Sequence, residues 1–157
     1  MIDEHARQGQ TTCKVVRNRE KFTGKQGLDY EAGISAASVG SNAIHMQLLT
    51  MPPGARSHAH KHAMHETAIF ILSGEAQVLF GYELEQHAKV VKGDFFYIPA
   101  DMPHLPYNPS ETEPMVAVIA RTDPNEQESV VLLPKLDREL ENRAFLAEAI
   151  IDQIKSK

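Results

Sequence analysis

The sequence predicts an all-β fold, an antiparallel sandwich or barrel, closed by one C-terminal helix. Three observations carry that expectation. From Ala43 onward, short β-prone runs alternate with Gly, Pro and Asp turn signals at the close spacing of such folds. Helical periodicity is absent through that region. It appears only after Asp137, where Gly and Pro also disappear.

The chain has 157 residues, 42% of them hydrophobic and 24% charged, which suits one domain with its own core. A single domain over 1–157 is expected, its barrel core at about 43–121 and its helix at about 137–154. The polar first residues precede a short strand expected at Cys13–Asn18. Residues 23–42 are rich in Gly, Ser and Ala and read as loop with at most one short strand. Strands then follow at Ala43–Met51, Glu66–Leu72, Ala76–Phe80, Leu84–Val91, Phe95–Ile98, Met115–Arg121 and Ser129–Leu133. The breaks between them are Pro52-Pro53-Gly54, Ser73-Gly74, Gly81, Lys92-Gly93-Asp94, Pro99 and Thr122-Asp123-Pro124, with Pro134 closing the last strand. In the helix, Leu140, Ala144, Ala147, Ile151 and Ile154 form an apolar stripe that Phe145, Leu146 and Ile150 widen. Asp137 reads as its N-cap. The stripe packs on the barrel or meets a second copy, and a homodimer is expected because small barrels also expose sheet edges.

Net charge is −5, with no basic cluster, which speaks against nucleic-acid binding and against docking on anionic lipid. Cys13 is the single cysteine, so an internal disulfide is excluded and a cytoplasmic protein is expected. No apolar run approaches the ~20 residues of a membrane span, and Met1-Ile2-Asp3-Glu4-His5 does not read as a signal peptide. Eight histidines are present, four of them between His58 and His65.

On an extended chain His58, His60 and His62 share one side. Imidazoles at i and i+2 can converge on one ion at about 2.0–2.1 Å from each nitrogen. Alone, such a run also suits a solvated loop. A second segment, Gly93 to His104, adds a strand, a sharp turn and one more histidine. Together the two segments resemble the paired motifs of the cupin superfamily, G-x5-H-x-H-x3–4-E-x6-G and G-x5-P-x-G-x2-H-x3-N. Gly54, His60, His62 and Gly74 fall on the first motif. Gly93, Pro99, His104 and Asn108 fall on the second, with Asp101 in place of its middle glycine. Asp tolerates a left-handed turn better than most residues. The resemblance covers about 43–121 and implies a cupin β-barrel, a double-stranded β-helix of jelly-roll type.

The resemblance further implies one divalent transition metal (Fe, Mn, Zn, Ni or Co) held by His60, His62, Glu66 and His104. The carboxylate position stays open. Counting back from Gly74 reaches Thr67, and counting on from His62 reaches Glu66. Those two face opposite ways on a regular strand, so Glu66 ligates only if the strand start bulges. His65 shares parity with Thr67, and His65 and His58 are reserves. His5 lies in the polar tail, and His87 reads as a surface residue.

On the first strand, the apolar face of Ile44, Met46 and Leu48 is the expected lining. If the other face turns in, His45 and Gln47 come beside the metal. Phe96 and Ile98 alternate with Phe95 and Tyr97, and one pair lines the cavity. Arg56 and Arg121, near strand ends, read as solvated charges or as holders of an anionic substrate. No Ser-His-Asp set, phosphate loop or dinucleotide fingerprint is present. Four protein ligands on a six-coordinate ion leave two positions for a molecule with adjacent oxygens. The resemblance thus implies a metal-dependent enzyme acting on a small oxygenated molecule. A dioxygenase-type reaction is placed ahead of isomerisation or decarboxylation, and a metal-anchored binding module is the alternative.

Overall fold

A computed structural model of the chain describes residues 12–17, 19–125 and 127–155, with side chains up to residue 144. His5 and the side chains of Phe145, Leu146, Ala147, Ile150, Ile151 and Ile154 lie outside the described residues. In order, the elements are β1 (Glu20–Thr23), β2 (Asp29–Ile34), α1 (Ala36–Val39), β3 (His45–Met51), β4 (His60–His62), β5 (Thr67–Ser73), β6 (Glu75–Phe80), β7 (Gln86–Val91), β8 (Phe95–Ile98), β9 (His104–Tyr107), β10 (Met115–Arg121), β11 (Val130–Leu132) and α2 (Pro134–Lys155). Residues 13–17 form no strand, whereas the stretch expected as loop contains β2 and α1.

Six strands form one sheet in the order β1-β2-β3-β10-β5-β8, and five form the other as β11-β4-β9-β6-β7. Every pairing is antiparallel. The inner faces meet in one core, to which the first sheet brings Leu49, Met51, Ile71, Met115, Ala117 and Ile119 and the second Ala76, Val78 and Val90. Each large aliphatic side chain fully buried there contributes about 1.5–3 kcal/mol. Strand β10 alternates strictly, with Met115, Ala117, Ile119 and Arg121 facing inward.

That alternation decides the face of β3. Register pairs Met51 with Met115, Leu49 with Ala117, Gln47 with Ile119 and His45 with Arg121. Hence His45, Gln47, Leu49 and Met51 are buried, while Ile44 and Met46 are 52% and 41% exposed. The apolar face expected to line the barrel is its outer surface. Phe96 and Ile98 turn in on β8, and Phe95 and Tyr97 turn out.

The turn between β5 and β6 requires Gly74. Its φ is 72°, and a Cβ there would lie 2.6 Å from the Pro114 carbonyl oxygen. Helix α2 starts at Pro134 rather than after Asp137, with proline at the first helical position. Asp137 therefore sits in the first turn, where its Oδ1 accepts a bond from Ala59 N–H at 3.0 Å. Leu133, Leu136 and Leu140 pack on Ala59, Leu84 and Leu105, covering the outer side of the second sheet. Among the described residues, no helix is long and apolar enough to cross a membrane.

Candidate metal centre

Strand β4 turns His60 and His62 inward, with Lys61 between them partly exposed. His104 opens β9 and stands directly opposite His60 in the ladder. Asp101 fixes the approach, adopting φ 62° at the position where the motif carries glycine. Its N–H bonds the His62 carbonyl at 3.0 Å. Its carboxylate accepts from Lys61 Nζ at 2.7 Å and from Met64 N–H at 3.1 Å. The turn thus joins the end of β4 to the start of β9.

The three imidazoles have ligating nitrogens within 4.8 Å of one another. Ring centroids are 4.2 Å apart for His60 and His104, 5.2 Å for His60 and His62, and 5.4 Å for His62 and His104. His60 Nδ1 donates to the His58 carbonyl at 2.8 Å, and His104 Nδ1 to the Met102 carbonyl at 2.9 Å. A carbonyl only accepts, so each Nδ1 carries the proton and each Nε2 keeps a free lone pair. His62 Nδ1 is buried without a hydrogen-bond partner. Burial, reinforced by the neighbouring His104 and by Arg121, holds His60 well below the usual imidazole pKa. Burial and Arg121 do the same to His62, and burial pulls His104 down to about 4. Neutral imidazoles with oriented lone pairs are the donor set that a divalent transition metal takes. The residues present fit such an ion.

The structure brings His60, His62 and His104 together and does not bring Glu66 to them. Glu66 is exposed and its Oε1 accepts from Tyr97 Oη at 2.6 Å. Strands β5 and β8 pair without a bulge at this end, Thr67 opposite Ile98 and Ala68 opposite Tyr97. Regular parity therefore sends Thr67 inward, 2% exposed, and leaves Glu66 outside. His65 lies toward Thr122, its Nδ1 3.4 Å from the hydroxyl. His58 is exposed beside Asp137 at 3.6 Å, because β4 starts only at His60 and the shared face of the three histidines does not extend back to it. His87 is on the surface.

His45 and Gln47 are buried beside the site on β3, and His45 Nδ1 contacts the Asp123 carbonyl at 2.8 Å. The Gln47 carboxamide has no hydrogen-bond partner. Arg56 forms a surface pair with Glu141 at 3.0 Å. Arg121 differs from the solvated charge weighed for it: it is 4% exposed and lines the cavity. Its place on the Met115–Ala117–Ile119 face was the signal that could have found it.

The cavity lies between the sheets. His60, His62, His104, Thr67, Arg121, Gln26 and Tyr30 form its polar part, and its apolar part includes Ile69, Ile71, Val78, Val90 and Ile119. Its water-sized free space is about 50 Å³. That space holds roughly three to five waters, hence an ion with a small ligand. Asn108, the last residue of the second motif, does not reach the cavity. Its Nδ2 donates to the Met51, Pro52 and Glu113 carbonyls and its Oδ1 accepts from Ser110 N–H, which locks two loops together.

Residues 47–120 match the family model of the cupin domain. Auxin-binding protein 4 of Zea mays is 25% identical over 116 residues, which cover 70% of this chain. The match spans 56% of that relative's length. A putative sugar phosphate isomerase from Acidithiobacillus ferrooxidans superposes with a TM-score of 0.54 at 22% identity, covering 67% of each chain. The oxalate decarboxylase of Bacillus subtilis, a protein with Mn(II) centres, gives 0.59 at 20% identity over 77% of this chain and 30% of its own. At these identities the structural likeness establishes the fold.

Proposed function

Residues 47–120 form a cupin domain, and from that premise we propose that the barrel holds one divalent transition metal on His60, His62 and His104 and transforms a small oxygenated organic molecule there. The observation that carries this reading is the convergence of three buried, neutral imidazoles in a mostly apolar cavity. When bound, such an ion supplies Lewis acidity or redox capacity to a ligand with two adjacent oxygens. The chain does the rest. The carbonyls of His58 and Met102 hold two imidazoles in the ligating tautomer. Thr67 in place of a carboxylate leaves the shell neutral. The aliphatic lining excludes water and limits the size of what enters. The relatives do not choose the reaction, since their names cover a binding protein, an isomerase and a decarboxylase. An O2-dependent oxidation is the first class to screen, then isomerisation or decarboxylation.

The experiment is metal loading followed by turnover. Wild-type protein should hold one ion per chain by elemental analysis, and the double variant His60→Ala with His104→Ala none. Glu66→Gln should load normally, since its carboxylate faces out. The loaded protein is then screened with catechols, diketones, keto acids and uronates by O2 consumption and mass spectrometry. Stoichiometric metal in the double variant would overturn the site. Tight binding of one compound without product would make the domain a binding module.

We also propose that the protein works as a homodimer. Support comes from the outer face of the six-stranded sheet, where Met46, Ala120, Ala68 and Tyr97 stand side by side in register. Leu48, Val118, Phe70 and Phe95 form the next such row. Across β3, β10, β5 and β8 neither row contains a charged residue, although β2 and β1 continue the second with Glu31 and Lys21, and Phe95 is 83% exposed.

A further inference from the structure

Arg121 is a formal charge inside the barrel that no acidic side chain meets in an ion pair among the described residues. It is 4% exposed and carries the inward parity of β10 into the cavity. Its Nε donates to Thr67 Oγ1 at 3.0 Å, and its Nη1 is buried with no partner. It makes no ion pair among the described residues. The nearest acid in sequence, Asp123, points its oxygens elsewhere, to Asn125 N–H at 2.9 Å and Ser129 N–H at 3.3 Å. Glu66 is outside the barrel. None of the residues lining the cavity is Asp or Glu. Burying a cation without a counter-charge is costly, and removing water from it makes its attraction for an entering anion stronger than at the surface. Burial pulls the guanidinium down to about 10 against the opposing fields of Tyr30 and Asp123, so it remains charged at neutral pH.

The guanidinium shares this small chamber with the three imidazoles, and the remaining walls are mostly apolar, with Thr67, Gln26 and Tyr30 as their polar residues. A divalent ion on neutral imidazoles would add two further positive charges, again with no acid in the lining. The chamber as a whole calls for an anion that is short, bears an oxygen pair for the imidazole side and tolerates an apolar end.

We propose that Arg121 is the anion-recognition residue of the cavity, and that the ligand is a small organic acid whose carboxylate is held by this guanidinium with a keto or hydroxyl oxygen beside it, in the manner of a short α-keto acid. The assignment builds on the metal reading above, but its recognition element does not depend on the ion. A guanidinium presents parallel N–H donors that match a carboxylate, and Thr67 holds one edge of that fork so that another faces the chamber. The apolar part of the wall, Ile69, Ile71, Val78 and Val90 among it, receives the methyl or short alkyl end.

Pyruvate and its neutral isostere pyruvamide test this directly, because they differ in the carboxylate alone. Calorimetric titration is run on Co(II)-loaded protein, with the visible spectrum of the cobalt as a report from the metal. Thermal shift is run on the metal-free protein. Pyruvate should bind the loaded protein and be preferred over pyruvamide roughly 10- to 100-fold, the range of a charge-assisted pair. In the metal-free protein, pyruvate should still raise the melting temperature more than pyruvamide does. Arg121→Gln should abolish the preference in both forms while loading cobalt normally. Arg121→Lys should keep the preference with several-fold weaker binding, and it carries the test if the glutamine variant does not fold. Equal binding of pyruvate and pyruvamide by wild type would overturn the proposal, as would a preference surviving in Arg121→Gln or tighter binding of inorganic phosphate. Failure to load cobalt, with the preference intact in the metal-free protein, would refute the metal reading and leave this one standing.

Discussion

Replacing Asn108 by alanine should destabilise the barrel without touching its chemistry. Asn108 is 2% exposed, and both ends of its carboxamide are hydrogen-bonded. Nδ2 reaches the carbonyls of Met51 and Pro52 at 3.1 Å and of Glu113 at 2.9 Å, and Oδ1 accepts from Ser110 N–H at 3.0 Å. Nδ2 has two hydrogens for three acceptors, so the set amounts to about three bonds. Alanine leaves the buried Met51 carbonyl and the partly buried Pro52, Glu113 and Ser110 groups without this partner, at about 1 kcal/mol for each bond, or about 3 kcal/mol in all. For a domain stable by about 5–15 kcal/mol this is a large fraction. The backbone N–H of residue 108 keeps its bond to the Ala55 carbonyl, so the strand end itself survives. Asn108→Asp should be worse than alanine at neutral pH, since a carboxylate cannot donate to the carbonyls and is costly to bury. Urea unfolding monitored by circular dichroism measures the loss, and metal stoichiometry at low urea should stay at the wild-type value. A loss below about 1 kcal/mol would refute the reasoning, and so would loss of metal from a still-folded variant.

Two further outcomes follow from burial and exposure. In the metal-free protein His60, His62 and His104 all have folded pKa values below the unfolded value of 6.5, His104 at about 4. Lowering the pH protonates the unfolded chain first, so stability is full above about pH 6.5 and falls toward pH 4, His104 alone removing about 3 kcal/mol. Unchanged urea midpoints between pH 7 and pH 5 would contradict this. For the dimer, Phe95→Glu places a charge on the proposed interface without disturbing the core. Sedimentation should report a dimer for wild type and a monomer for the variant, and a wild-type monomer at all concentrations would end the proposal.

Much of this arrangement was legible from patterns of two and of 3.6. The strands later found as β3, β5, β6, β7, β8 and β10 lie within a residue or two of the expected runs, because β-branched and aromatic residues bounded by glycine and proline mark half-buried strands. The hairpin of β1 and β2 was missed. Its residues are largely polar, and pairing with β3 and the stacking of Phe22 on Tyr30 at 5.4 Å hold it, neither of which is a local signal. Strands β4 and β9 are too short and too rich in His and Pro to read as strands at all. His60, His62 and His104 were legible as a set because two separate segments carried them. The face of Glu66 was not, since the β5–β8 register decides it. Arg121 was readable by parity, but a charge at a strand end invites the surface reading.

Strand β4 meets β9 at a single ladder position, and that position is His60 opposite His104. On its other edge β4 carries β11, and from Ala59 it reaches the first turn of α2 through Asp137. Beside its packing on Leu84 and Leu105, the C-terminal part of the chain is thus tied to a strand whose own ladder to the rest of the sheet passes through the ligand site. Whatever bridges these imidazoles acts as a cross-link between the two sheet segments and opposes local opening there by its own binding free energy. Loading the site should then slow proteolysis and solvent exchange in β4, β9 and β11 together.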